Sequence, residues 1–276
     1  MPEEFGKGEM PAMNNQNDES AMLSEKMISM LPRAALFARP SISKFCVGAI
    51  VRSESGKLYM GANMEFVGES LGTAVHAEQA AVMHAWHKGE RRITHVAVNA
   101  PPCGFCRQFF MELRDAEFIE ILLPGEIPRT LAELLPRPFG PADLGKTSRL
   151  LDEETILLSR KGLPAEDPLI QAALGAAEQS YAPYSGTFAG VALEFEGPEI
   201  IAGRYAENVA FSPSISPMAS AFILTVLEGH EDRKILRAVL VEAAGTAASH
   251  RRDCEGILSS WSPDSELEYF LVPRKE

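Results

Sequence analysis

Residues 93–113 read ITHVAVNAPPCGFCRQFFMEL, a strand-like run (93–99), a proline-marked turn, then a helix opening at PCGFC. Upstream the pattern predicts strands over 45–52 and 57–63, joined into a hairpin by a SESGK turn. A helix opens near His76 within TAVHAEQAAVMHAW (73–86), and FIEILL (118–123) reads as another strand. Strands alternating with helices in β-β-α-β-α-β order imply a sheet covered on both faces, an α/β fold. Residues 21–38 read as helical, interrupted by Pro32, after a polar start.

The chain has 276 residues, about twice a common domain. Residues 124–165 hold Pro124, Pro128, Pro136, Pro138, Pro141 and Pro164 and read as a connector wrapped on the surface. Beyond it the order repeats. GANMEF at 61 resembles GRYAENVAF at 203, an offset of 142 that places Glu65 on Glu207, His76 on Met218 and Glu78 on Ser220. One residue later in register, Cys103 and Cys106 fall on Thr246 and Ser249. The second half is expected to keep the scaffold and to lack the first half's unusual residues.

At 46% hydrophobic and 23% charged, the composition is that of a globular protein. No run of about 18 apolar residues occurs, and the first twenty residues lack the apolar core of a signal peptide, so an intracellular protein is expected. A net charge of −12, spread along the chain, argues against a surface that tracks a phosphate backbone. The four cysteines are too few for a disulfide framework at this length. Cys46 and Cys254 read as small buried side chains.

Cys103 and Cys106, three apart at a helix start, present both thiols on one face of the first turn, where helix N–H groups favour thiolate. His76 offers a third ligand, and one histidine with two cysteines is a zinc set that leaves a fourth, catalytic position open. His84 and His87 lie about 12 Å or more farther along the same helix and read as packing residues, as does His95 on its strand. Cys46 stays open as a fourth ligand. Glu78 points some 200° around a regular helix from His76, which disfavours co-ligation, but its long side chain can reach beside the metal and move a proton.

VHAEQ followed by PCGFC resembles the H-x-E…P-C-x-x-C signature of the zinc-dependent nucleobase deaminases. The longer run GANMEF…VHAEQ…VNAPPCGFCRQF is similar to the two-domain, dimeric branch of the cytidine/deoxycytidylate deaminase family, from about residue 40 to the end. The resemblance implies a three-layer α/β/α fold with a mixed central sheet, present as a catalytic domain plus a degenerate repeat. The expected division is an N-terminal segment (1–40), a zinc-dependent catalytic domain (41–135), a connector (136–165) and a degenerate domain without metal ligands (166–276). It further implies one Zn²⁺ per subunit on His76, Cys103 and Cys106, with Glu78 as proton shuttle in the hydrolysis of cytidine and deoxycytidine at C4 to uridine or deoxyuridine and ammonia. Relatives with three cysteine ligands carry an arginine after the glutamate; here that position is Gln79.

Asn63 and Glu65, two apart at a strand end, share a face and offer donor and acceptor capacity. The resemblance assigns them the ribose 3′-hydroxyl, which implies a nucleoside rather than a polymer, with no nucleic acid or membrane as partner. It places Phe45 and Phe139 along the pyrimidine and the backbone of Ala77 and Pro101 beside it. Relatives carry threonine at position 101; proline keeps the carbonyl and loses the hydroxyl. A cytoplasmic homodimer with shared sites follows, Ala210 and Phe211 of one subunit approaching the ribose in the other. Two alternatives remain at this level: a deaminase of a related small substrate (a nucleotide, a free base or a nucleoside antibiotic) and a zinc-stabilised scaffold without turnover.

Overall fold

The hairpin anticipated before His76 forms: β1 (Gly48–Ser53) runs antiparallel to β2 (Leu58–Ala62), with Ala49 opposite Gly61. β3 (Ile93–Val98) pairs antiparallel on the other side of β1, β4 (Glu120–Leu122) runs parallel to β3, and β5 (Arg129–Thr130) closes the edge. The structure, a computed structural model, describes residues 15–275, so residues 1–14 of the polar opening lie outside the described residues. In it α1 (Asn15–Ala35), α2 (Ala77–His87), α3 (Gly104–Phe110) and α4 (Leu131–Leu134) accompany this sheet. A second mixed sheet in the order β7-β6-β8-β9 is built from β6 (Ala189–Phe195), β7 (Ile200–Arg204), β8 (Ile235–Ala243) and β9 (Leu267–Val272). Its helices are α5 (Pro168–Glu178), α6 (Pro217–Leu227) and α7 (Arg251–Trp261).

Alternation along β1 explains the layering. Ile50 packs with Met27, Leu31 and Ala34 of α1, whereas Ala49 and Val51 join the core that contains α2. In the second sheet Ala192 meets α5, while Val191 and Leu193 join the same core as α6. That core is shared by both halves, with α2 and α6 between the sheets. Both units are therefore α/β, each with a mixed sheet covered by helices on both faces.

Three expectations need correction. The expected N-terminal segment, residues 1–40, contains α1, which is a layer of the first unit in the position α5 takes in the second. Gly48 lies against Leu31 and Ala35 as Gly190 lies against Ala173 and Ala177. Pro32 does not interrupt α1: it sits in the last turn, where the missing N–H removes one rung just before the helix ends. The proline-rich stretch is more than surface wrapping, since it supplies β5 and the buried Leu131, Leu150, Leu151 and Leu158.

The repeat is real, but its register differs from an ungapped reading. The hairpins match at an offset of 142, with Val191 opposite Gly203 as Ala49 is opposite Gly61. β3 and β8 keep that offset, Ile93 facing Ser53 as Ile235 faces Phe195, so the one-residue shift expected there is absent. Between hairpin and helix the second half is two residues shorter: Met64 bridges Val75, but Ala206 bridges Ile215. The N-cap of α6 is Ser216, the counterpart of His76, and Glu78 then corresponds to Met218. α7 starts later than an even offset would place it, so its N-cap His250 answers to Cys103 and Asp253 to Cys106. Among the described residues only His76, Cys103 and Cys106 gather as three candidate ligands.

Candidate active site

His76 is the N-cap of α2, in extended conformation (φ −88, ψ 151) and directly after the Val75–Met64 bridge. α2 lies close to β2 because residue 61 is glycine; a Cβ there would stand 2.1 Å from the Ala81 nitrogen. Cys103 caps α3 and Cys106 lies in its first turn, a start pinned by Arg107, which donates to the carbonyls of Pro102 and Leu134, each at 2.8 Å. The two elements bring three donors together. His76 Nδ1 lies 3.4 Å from Cys103 Sγ and 3.3 Å from Cys106 Sγ, and the sulfurs are 3.9 Å apart. Tetrahedral zinc at ordinary bond lengths asks for N–S and S–S edges of about 3.6 and 3.8 Å, so the donors fit three corners of that polyhedron.

Electrostatics favour a dication. The Cys103 thiol is held down to about 5, first by a hydrogen bond with Cys106 and against burial, while the same bond and burial push Cys106 upward. The pair thus shares one proton that a metal would displace.

Glu78 is 4% exposed and lines the same cleft as His76 and Cys103. Because His76 is a cap with extended backbone, the helical spacing that set the two apart in sequence does not govern them. Burial raises the Glu78 carboxyl above its usual range, against the opposing pull of its own backbone N–H and of His76.

The cleft is open to solvent on one side and has a volume of about 260 Å³. Asn63, Glu65, Phe45, Ala77 and Pro101 all line it, Phe45 being 60% exposed. Asn63 accepts from Val47 N at 2.8 Å and donates to Phe45 O at 2.9 Å. Glu65 accepts from the backbone N–H groups of Ile42 and Ser43, each at 2.7 Å, and from the Ser43 hydroxyl. Burial would raise the Glu65 carboxyl, but these hydrogen bonds outweigh it and hold it below its usual range. The two side chains therefore hold the 42–47 loop against the end of β2, a task the sequence reading missed along with Ser43 itself. The repeat carried a signal for it: Glu207 accepts from Tyr184 N and Ser185 N, the same arrangement at an offset of 142. Gln79 does a second unforeseen job, accepting from His76 N and donating to Pro213 O of the second half.

Other residues stay apart from the cleft of their own chain. Phe139 is 45% exposed and Phe211 60% exposed, and neither they nor Ala210 line it. Cys46 is exposed rather than buried and lies outside the ligand group, whereas Cys254 is buried as expected. His84 bonds Met60 O, His87 bonds the Ser220 hydroxyl, and His95 lies beside Glu120.

Models of the cytidine and deoxycytidylate deaminase zinc-binding region match residues 22–121 and 131–255. A cytidine deaminase of Photobacterium profundum is 44% identical over 246 residues, 89% of this chain and 82% of the relative. One of Histophilus somni (strain 2336) is 44% identical over 269 residues, 96% and 87% of the two chains. One of Shewanella sediminis (strain HAW-EB3) is 49% identical over 222 residues, 80% and 74%. The first match spans the whole His/Cys/Cys set, and zinc is the cofactor that this family and these donors share. With one relative after another covered over three quarters or so of its length at 44–49% identity, the chain belongs to the cytidine deaminase family.

Proposed function

We propose that this enzyme hydrolyses cytidine and deoxycytidine to uridine or deoxyuridine and ammonia, with residues 41–135, backed by α1, supplying the catalytic half and residues 166–276 a degenerate one. The observation that carries the reading is the juxtaposition in one cleft of a three-donor metal set and a buried carboxyl of raised proton affinity. His76, Cys103 and Cys106 would hold zinc, which when bound lowers the proton affinity of a water enough for it to act as nucleophile near neutral pH. Glu78 takes one proton from the attacking water and delivers it to N3 of the pyrimidine, then carries the second, left on the new C4 hydroxyl, to the departing amino group. A C–O bond forms at C4, the C–N bond breaks, and one water is consumed for each ammonia released.

Asn63 and Glu65 address the ribose 3′-hydroxyl with the hydrogen-bonding capacity left over from holding the 42–47 loop. Phe45 packs along the base, and the backbone at Ala77 and Pro101 borders it. Phe139, Ala210 and Phe211 fit this scheme as contributions to a second subunit's cleft in a homodimer. No helix among the described residues is long and apolar enough to cross a membrane, which agrees with a role in cytoplasmic pyrimidine salvage. The test is ultraviolet-monitored turnover of cytidine beside dCMP, cytosine and a nucleoside antibiotic, with metal content measured on the same preparation. Stoichiometric zinc with cytidine left intact would sink the proposal.

A further inference from the structure

Immediately beyond α3, the helix that carries both cysteines, Glu112 is completely buried. Its carboxylate is held by donors from the second half: Val209 N at 2.6 Å, Tyr181 OH at 2.8 Å, and Tyr184 OH at 3.0 and 3.1 Å. Burying a carboxylate among neutral donors is an expensive way to fill space, and an apolar side chain would serve a core at least as well. What the arrangement secures is the position of the backbone at Val209.

Val209 begins the loop that carries Ala210 and Phe211. Gln108, one turn earlier on α3, accepts from Asn208 Nδ2 through its carbonyl at 3.1 Å, and its side chain donates to Phe139 O at 2.7 Å. Within the loop, Asn208 Oδ1 accepts from Ala210 N at 3.0 Å, and Phe211 is turned into the left-handed region (φ 59) by bonds to Asn208 and Ser214. That conformation is strained for an aromatic residue, and it leaves the ring 60% exposed. Neither the strain nor the exposure serves this chain's own core.

We infer that Glu112 is a positioning residue acting between subunits: through Val209 it holds the 208–212 loop so that Ala210 and Phe211 complete the partner's nucleoside site. The inference rests on the shared-site dimer proposed above. Removing the carboxylate releases the loop while leaving the zinc set and Glu78 of the same chain intact.

Subunit complementation tests it. Glu112→Ala homodimers are expected to keep zinc and to show a KM for cytidine raised ~10-fold, the loss of a buried charge-assisted bond. Glu112→Gln, whose amide oxygen can still accept from Val209 N, is expected to recover much of that loss. Differently tagged chains are then co-expressed and purified as mixed dimers of Glu112→Ala with Glu78→Gln. The Glu112→Ala subunit keeps a working centre and now receives an intact loop, so its KM should return to the wild-type value. Pairing Glu112→Ala with a Glu78→Gln/Glu112→Ala chain should restore nothing. If Glu112→Ala does not fold, Tyr184→Phe, which removes one donor from the carboxylate, goes through the same pairings with the same two outcomes. Equal impairment in both mixed dimers, or a homodimer indistinguishable from wild type, overturns the role of Glu112. A 30.1 kDa monomer that is fully active overturns the shared-site reading itself.

Discussion

Two side chains at the centre of the site are defined by their surroundings more than by their type. Glu78 is nearly sealed from solvent and lines the cleft beside the metal donors, where the proposed reaction needs a carboxyl to carry protons. Glu78→Gln preserves shape and removes that capacity, so turnover of cytidine should fall by about 10³-fold while bound zinc, measured by atomic absorption, is unchanged. Loss of metal along with activity would recast Glu78 as a structural support. Cys103 gives a second test. It is exposed and its thiol is held down to about 5, whereas Cys106 and Cys254 are buried. A thiol reagent at pH 7 should find Cys46 alone in the zinc form, and Cys103 as well after chelation, one additional fast-reacting thiol per chain. The cysteine pair was legible in the sequence because its three-residue spacing at a helix start puts both thiols on one side, and Glu78 through the motif it shares with His76, whose extended cap conformation the helical spacing did not foretell. Gln79, Ser43 and Glu112 were not, since their partners stand 134, 22 and 97 positions away.

At the scale of elements, the strands and helices around the site were readable because both sheet faces are covered, which makes the strands apolar and punctuates the chain with turns. Register across the repeat was not. A two-residue difference in the loop before α6, and a longer approach to α7, move the counterparts of His76 and Cys103 to Ser216 and His250 without altering the periodicity on which the reading depended. What both halves share is a glycine on the second hairpin strand, where the following helix lies against the sheet. A Cβ on Gly61 would meet Ala81 N at 2.1 Å and Ala77 O at 2.3 Å; one on Gly203 would meet Pro217 O at 2.2 Å and Ala221 N at 2.3 Å. Backbone cannot yield as a side chain can, so Gly61→Ala and Gly203→Ala should each destabilise by about 3 kcal/mol in urea unfolding. Their functional effects should differ. Gly61→Ala displaces the helix that carries Glu78 and is capped by His76, lowering kcat per folded molecule, whereas Gly203→Ala displaces α6 and spares it. Equal losses of kcat would mean that the halves move as one.

The whole molecule is joined along α2 and α6, and one polar contact at that junction makes its stability sensitive to acid. His87 is half-buried, with Nε2 2.8 Å from Ser220 Oγ of α6, and Arg204 of β7 approaches its other nitrogen. Burial, followed by the positive charge of Arg204, keeps the imidazole well below its usual pKa, so it stays neutral when folded. In the unfolded chain it titrates near 6.5, and below that pH the unfolded state binds a proton that the folded state refuses. Stability contributed in this way is complete above about pH 7 and is lost as pH falls through 6.5, at a limit of about 1.4 kcal/mol per unit. His84, His95 and His250 are shifted in the same direction, while Glu78 and Glu112, raised by burial, act in the opposite sense nearer the carboxylate range. Protonation of the zinc ligands adds a further loss in acid. A difference measurement removes these shared contributions: urea unfolding of wild type and His87→Gln at pH 7.5 and 5.5. The amide can still donate to Ser220 and cannot titrate. Wild type should lose about 1 kcal/mol more than the variant over that interval. Parallel losses would mean that the imidazole takes up its proton in the folded protein, with the α2–α6 junction open to water.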